Sequence, residues 1–474
     1  MPAIPTAALQ RTLSLGLLAM VSFGCSAVGP DYEPPQIQLP ASWEAQRTAG
    51  LANGAVTDAA WWQLFDDATL TSLVERALRQ NLDLRQSLTR LAGARAQRGI
   101  ATAGRWATVD GNAGYNYRDE SRNTPFGAFI PRTDIHAASF DAAWELDLWG
   151  RVSRSVEAAD ADLTASTFEV QAAALSVAAE VARTYVDLRA AQRRLAIARD
   201  NLQLQQQTLD LVQSRLSAGL VAERDVAQAA TNVETTRSRL PQLEAAAITS
   251  LNRLAVLLGG TPELLPAELR AVAPLPQLPA SVAVGAPADL LRRRPDVQRA
   301  ERLLAGEVAR IGVAEAERYP SFSLSGQIGL ASNSAKQFFD ADSDLLGFGP
   351  SLRWNLFDGG RLKHRIQALE ASAEAAQIAY EQTVLLALEE TENAMTRFGL
   401  ERVRRASLAR AAAQARRAVE LAQTQYGEGL SDFQAVLDSQ RIAATIDDDL
   451  VNSDAAVATH LIALFKALGG GLPR

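Results

Sequence analysis

The chain carries the same plan twice, and this limits the folds open to it more than any other feature. Trp144-Glu145-Leu146-Asp147-Leu148-Trp149-Gly150-Arg151 aligns with Trp354-Asn355-Leu356-Phe357-Asp358-Gly359-Gly360-Arg361 at an offset of 210 residues, with Trp and Arg matched at the two ends. At the same offset Leu216-Ser217-Ala218-Gly219-Leu220 falls on Tyr426-Gly427-Glu428-Gly429-Leu430, and the run 254–260 (LAVLLGG) falls on 464–470 (LFKALGG). Upstream, Asp83 pairs with Asp296 and Arg105 with Arg318, now at an offset of 213. A slip of three residues therefore lies between Arg105 and Trp144. Such self-similarity at a long, fixed period is the mark of an internal duplication.

Each copy reads as helix, two strands, long helix, sharp turn, helix. Leu70 to Gly104 is helical by composition. Thr108 to Arg118 switches to a period of two, with Val109, Gly111, Ala113, Tyr115 and Tyr117 opposing Asp110, Asn112, Gly114, Asn116 and Arg118. After a polar, proline-containing loop (119–133), Ala138, Phe140, Ala142, Trp144, Leu146 and Leu148 alternate with Ser139, Asp141, Ala143, Glu145 and Asp147. The second copy repeats this, with Phe322, Leu324, Ile328 and Leu330 against serines and Gln327, and then Leu346, Phe348, Pro350, Leu352, Trp354 and Leu356. Two architectures satisfy such alternation. One is a two-layer soluble sheet with one wet face. The other is a transmembrane barrel, which strands of about ten residues with aromatics near their ends suit better. Four strands cannot close a barrel, since small ones need about eight, and open edges are not tolerated in lipid. A barrel would have to be shared among copies. Pro350 in a strand requires an edge or a bend, and could mark the place where barrel gives way to tube.

The helices are long. Gly150 to Ser217 holds no proline and no internal glycine, and would span on the order of 100 Å at 1.5 Å per residue. Val181, Leu188, Leu195, Leu202, Leu209 and Leu216 recur every seven residues, with Ile197, Leu204 and Leu211 forming a second row. Seven-residue spacing marks supercoiled packing. Two rows suit a helix with neighbours on both sides, as in a tube wall, and equally suit one antiparallel coiled-coil hairpin. The stretches 221–258 and 431–468 return as shorter partners.

Composition excludes other classes. With 47 basic against 54 acidic residues there is no cationic surplus for a nucleic-acid partner. The three histidines (His136, His364, His460) are scattered, without a second ligand at metal spacing. No phosphate loop, dinucleotide fingerprint or Ser/His/Asp grouping sits in a suitable setting, so the chain does not read as an enzyme and no cofactor is expected. Residues 1–24 hold one charge, Arg11, and an apolar run from Leu13 to Phe23, an export signal too short to span a membrane. The segment ends at Gly24-Cys25, and Cys25 is the chain's single cysteine. A small residue before a lone cysteine at that place is a lipoprotein cleavage site, leaving Cys25 to carry a covalent lipid; an ordinary secretory signal with an incidental cysteine is the alternative. The absence of Asp at Ser26 is compatible with sorting to an outer membrane.

Several segments together resemble the TolC-like outer-membrane factors of tripartite efflux systems, in their lipoprotein branch. They are 25–35 (CSAVGPDYEPP), Trp61-Trp62 with Phe65-Asp66-Asp67 and Leu70, Asn81-Leu82-Asp83-Leu84, and 289–297 (DLLRRRPDV) with Ala300-Glu301, Ile311-Gly312-Val313-Ala314 and Tyr319-Pro320. The resemblance covers nearly all of the chain after the signal. It implies an α+β membrane protein whose long antiparallel coiled-coil helices form a periplasmic α-barrel. Each protomer would give four strands to a shared transmembrane β-barrel. The organisation it implies is signal peptide 1–24; extended segment 25–66; helices 67–104 and 150–258 with hairpin 108–148; linker 259–285; helices 286–318 and 360–468 with hairpin 321–357; and tail 469–474. The implied function is a passive homotrimeric duct in the outer membrane, docked to a periplasmic adaptor and an inner-membrane pump of the resistance-nodulation-division type. A channel for type I protein secretion and a lipid-anchored periplasmic coiled-coil adaptor are the alternatives.

In that family the closed periplasmic end lies at the turn between the last two long helices, here Tyr426 to Phe433. Gly427 and Gly429 suit a sharp turn because glycine adopts positive φ at little cost. Gln434, Asp438 and Arg441 lie four and three residues apart and so share one helix face. The resemblance makes Asp438 the aspartate that rings the constriction, while Ala435 stands where some members carry a second one. A ring of Asp438 would focus negative potential and favour cations; on spacing alone Asp438 and Arg441 are equally an ordinary ion pair on a solvated helix. The equivalent turn of the first copy, Ser217 to Asp225, contains Gly219 and offers Arg224 and Asp225 as partners across the closed tip. Arg292 to Arg294 read as a solvated helix end.

Overall fold

The computed structural model describes residues 27–45, 51–52, 54, 60–125, 127, 129 and 131–470. Cys25 and the signal segment lie outside the described residues, as does the end of the tail. In chain order the elements are β1 (Leu51–Ala52), a 3-10 turn at Trp61–Phe65, α1 (Ala68–Gln80), α2 (Leu82–Ala103), β2 (Thr108–Arg118), β3 (Thr133–Leu146), α3 (Arg151–Ser217) and α4 (Glu223–Leu257). Then follow β4 (Val282–Ala283), α5 (Leu290–Arg293), α6 (Pro295–Ala316), β5 (Ser321–Ser332), β6 (Asp344–Arg353), α7 (Arg361–Gly427) and α8 (Phe433–Ala467). Among the described residues no helix is long and apolar enough to cross a membrane.

The chain divides into two compact units. Among the described residues the first comprises 27–35, most of 91–165, and 300–380. Its centre is an antiparallel sheet in the order β2-β3-β5-β6. Thr108 faces Ala143, and Ser321, 213 residues after Thr108, faces Arg353, 210 after Ala143. The first hairpin is thus three residues longer around its loop, and this is where the sequence slip resides. Strands β3 and β6 end earlier than the alternation alone suggests, at Leu146 and Arg353. The carboxylates that follow turn to cap helices: Asp147 accepts from the backbone N–H groups of Val152 (2.9 Å) and Ser153 (2.7 Å), and Asp358 from those of Gly360 (3.0 Å) and Leu362 (2.9 Å). The indole N–H of Trp144 donates to Arg105 O at 3.0 Å, and that of Trp354 to Arg318 O at 3.1 Å. Both hairpins are therefore tied to the preceding helix in the same way. Pro350 lies on the edge strand β6, opposite Leu324 and three residues inside the strand's end, so it marks an edge and not the end of the sheet.

One face of this sheet is bare. Val109, Tyr115, Phe140, Ile328, Phe348 and Trp354 are all exposed, and the outer edges of β2 and β6 pair with nothing among the described residues. A soluble two-layer sheet would cover that face; among the described residues nothing does.

The same unit holds the segment that follows Cys25. Val28 N–H donates to Trp149 O (3.1 Å), and the buried Arg154 donates to Val28 O (3.2 Å) and to Asp31 (2.6 Å). Gly29, at φ +92°, crosses Gly312 so closely that a Cβ would sit 2.5 Å from Gly312 Cα. Gly29→Ala is expected to cost about 1–3 kcal/mol locally. The measurement is limited proteolysis, with residues 27–35 becoming readily cleaved while the helices stay resistant.

Among the described residues the second unit comprises most of 36–90, together with 166–299 and 381–470. Its regular structure is helical apart from the two-residue parallel ladder β1–β4, and α4 is joined to α5 by an extended linker with short 3-10 turns. The helix expected from Leu70 to Gly104 is interrupted at Asn81. The Asn81 amide accepts from Leu84 N–H (3.0 Å) and donates to Leu257 O (2.9 Å). Gly259 passes so close to Gln80 O that a Cβ would lie 2.5 Å from it, and the backbone breaks where the two segments cross. The expected solvated arginine end is also corrected. Arg292 is exposed, but Arg294 is buried and grips Asp296 (3.0 and 2.7 Å), Glu390 (2.8 Å) and Ala467 O (3.1 Å). Pro295 starts a new helix, which turns the Arg294 side chain inward.

Candidate functional site

The site is built by the two turns that join α3 to α4 and α7 to α8, all within the second unit. Each turn closes with the same pair of backbone bonds. Gly219 N–H donates to Leu216 O and Leu220 N–H to Arg215 O; Gly429 N–H donates to Tyr426 O and Leu430 N–H to Gln425 O. These are Schellman closures, which need a left-handed residue at the position Gly219 and Gly429 occupy. Both glycines take it, at φ +72° and +76°. Gly427 does not have positive φ; it is the last residue of α7 and still helical. Only one of the two expected turn glycines is conformationally required, because the closure uses a single left-handed residue.

Beneath the turns the four helix ends share one apolar cluster, in which Leu209 and Val212 meet Val233, Tyr426, Phe433 and Val436. The Tyr426 and Phe433 rings lie 5.6 Å apart, and the Arg215 guanidinium sits 4.3 Å above the Tyr426 ring while donating to Gly427 O at 2.8 Å. Arg215 thereby ties the first turn to the second. It escaped notice in the sequence because its counterpart 210 residues on is Gln425; that asymmetry between the copies was the available signal. Arg215→Ala removes a hydrogen bond and a cation–π contact, together worth about 1–2 kcal/mol. Amide exchange at Glu428 to Leu430 is expected to rise roughly tenfold, with exchange in the helix interiors unchanged.

Gln434, Asp438 and Arg441 are all exposed on α8. The Gln434 amide donates to Asp438 at 2.9 Å. Among the described residues Asp438 and Arg441 form no ion pair, so the i,i+3 salt bridge is set aside and Asp438 presents a carboxylate to solvent. Arg224 and Asp225 do not reach across to the other turn. They pair with each other at 3.3 Å, because adjacent residues at the first turn of α4 find one another sooner than a partner on α8. Arg224, Gln434 and Arg441 nonetheless line one groove of about 500 Å³ between α4 and α8. Among the described residues no cluster of His, Cys, Asp and Glu could hold a metal.

Relatives decide what this frame is for. The outer membrane efflux protein family matches the chain twice, over residues 73–260 and 286–470. The chain belongs to that family. Nodulation protein T of Rhizobium leguminosarum bv. trifolii is 33% identical over 448 residues, 94% of this chain and 95% of that one. The toluene efflux pump outer membrane protein TtgC of Pseudomonas putida is 31% identical, over 98% of this chain and 96% of its own. The solved structure of the outer-membrane channel OprN superposes with a TM-score of 0.89 at 36% identity, covering 94% of this chain and 99% of that one. This chain is accordingly the outer-membrane component of an efflux system, with the TolC-like channel fold.

Proposed function

We propose that three copies of the chain close one passive duct, twelve strands forming a barrel in the outer membrane and the long helices a periplasmic tube. The observation that carries this is the four-stranded sheet with two open edges and a bare apolar face. Four strands cannot close and a lone edge cannot sit in lipid, so neighbouring copies must supply β2-to-β6 pairing. The double match to one family over 73–260 and 286–470 supports descent of the two halves from one duplicated ancestor. Cys25 carries the lipid that anchors the chain, the turns at Gly219 and Gly429 form the periplasmic tip, and an adaptor and an inner-membrane pump of the resistance-nodulation-division type dock to the helical part. Solute efflux is preferred to protein secretion because relatives carry names such as toluene efflux pump component. A coiled-coil adaptor would have no use for the sheet.

At the tip three Asp438 carboxylates converge and make the passage cation-selective. Single-channel recording in planar bilayers tests this with wild type and Asp438→Asn. Wild type is expected to pass cations in preference to anions, and the variant to lose most of that preference at similar conductance. Selectivity unchanged in the variant would remove Asp438 from the constriction and leave the duct; absence of any conductance from a membrane-inserted oligomer would overturn the duct.

A further inference from the structure

The groove between α4 and α8 has a chemistry that the acidic constriction does not explain. Its lining includes three guanidinium groups, Arg224, Arg239 and Arg441, and no carboxylate. Arg224 is engaged by Asp225, whereas Arg239 and Arg441 have no hydrogen-bond or ion-pair partner among the described residues. Between them the walls are hydroxyls and amides, Thr231 and Thr235 on α4 and Gln205 on α3. Gln205 is 5% exposed and its Oε1 has no hydrogen-bond partner. The buried Nδ2 of Asn232, also on the wall, is an N–H donor without an acceptor. Buried polar atoms are rarely left so; the Gln205 oxygen, an acceptor, makes no case for an anion, whereas the Asn232 N–H beside two unpaired guanidinium groups calls for one.

We infer that this groove is a binding track for carboxylate-bearing solutes. The inference rests on the duct reading and gives that duct a substrate class. Arg224 is the second residue of α4 and Gln434 the second of α8. Counted from Gln434 and Arg224 respectively, Arg441 lies roughly 10 Å along the groove and Arg239 roughly 22 Å, at 1.5 Å per residue. The three cations therefore stand at successive levels, with hydrogen-bonding side chains between. An anion that reaches the tip beside Asp438 meets repulsion from that carboxylate, and the arginines offset it. Several weak sites in series let a charged solute both enter and leave, whereas one tight site would block the duct. Guanidinium groups suit carboxylates because two parallel N–H bonds match the two oxygens.

The test is calorimetric titration of the purified full-length protein with succinate, and with the uncharged succinamide as control, at constant ionic strength. Saturable succinate binding is expected in wild type, with none for succinamide. The double variant Arg239→Gln/Arg441→Gln should weaken it by about tenfold or more, while Arg237→Gln, on α4 but paired with Glu234 and outside the groove, should bind as wild type does. Both arginines are exposed, so the double variant is expected to fold, and an unchanged melting temperature checks it. A protein that conducts but binds no succinate, because a neighbouring copy or another protein fills the groove, overturns the inference, as does binding that the double variant retains. Binding by a protein that never conducts would keep the anion site and strike down the duct reading instead.

Discussion

Arg294→Met is expected to lower stability by about 3 kcal/mol, the low end of what removing one partner of a buried ion pair costs. The guanidinium side chain is 10% exposed, but the carboxylates it holds, Asp296 and Glu390, are each 44% exposed. Water screens those charges once the arginine is gone, which is why the larger values do not apply. The rest of the loss is geometric. One guanidinium joins the start of α6, the middle of α7 and the last carbonyls of α8, and a cation at a helix C-terminus is itself favourable. Thermal unfolding in detergent measures the effect, and Arg294→Lys should recover less than half of it, because an ammonium cannot span three acceptors in fixed directions. The pH dependence has a definite sign. Burial pushes the Asp296 carboxyl up, but the bond and charge of Arg294 outweigh it and hold its pKa below the usual value. A depressed folded pKa adds stability that is present above the unfolded value of about 3.9 and lost as pH falls through the folded one. The gap between wild type and Arg294→Met should therefore narrow below about pH 4.

Trp61→Ala is expected to cost about 3–5 kcal/mol. Trp61 is 1% exposed, stacks on Phe465 with ring centroids 5.5 Å apart, and meets Trp62 and Phe65 edge-on at 5.7 and 6.1 Å. The chain end closes over it so tightly that a Cβ on Gly470 would lie 2.9 Å from the indole. The cavity left by alanine has little room to collapse, since its walls come from the 3-10 turn, α8 and the residues after it. Trp61→Phe should cost less than half as much. It keeps an aromatic ring against Phe465 and removes an indole N–H that has no hydrogen-bond partner, and deleting a buried, unpaired donor recovers part of the lost packing. Comparing the two melting temperatures separates volume from polarity at one position.

Thr108–Arg118 could be read from period-two alternation, α3 from unbroken seven-residue rows, α7 from its place 210 residues after α3, and the Gly219 and Gly429 turns from glycines at one offset. Periodicity and φ preference are local properties, carried by residues a few positions apart, and the duplicated plan let each copy check the other. The arrangement of Arg294, Arg215 and Arg154 was not available in this way. Their partners stand 96, 212 and 123 positions away, and an arginine has the same composition whether it is solvated or buried. Asn81 reads as a helical residue until Gly259 is seen crossing behind it. The candidate constriction divides along the same line. Helical spacing alone set Gln434, Asp438 and Arg441 on one face of α8, since 3.6 residues per turn requires it. That Arg441 faces a groove shared with Arg239 was decided by the packing of α4 against α8, because which side chains share a groove depends on which helix stands beside which.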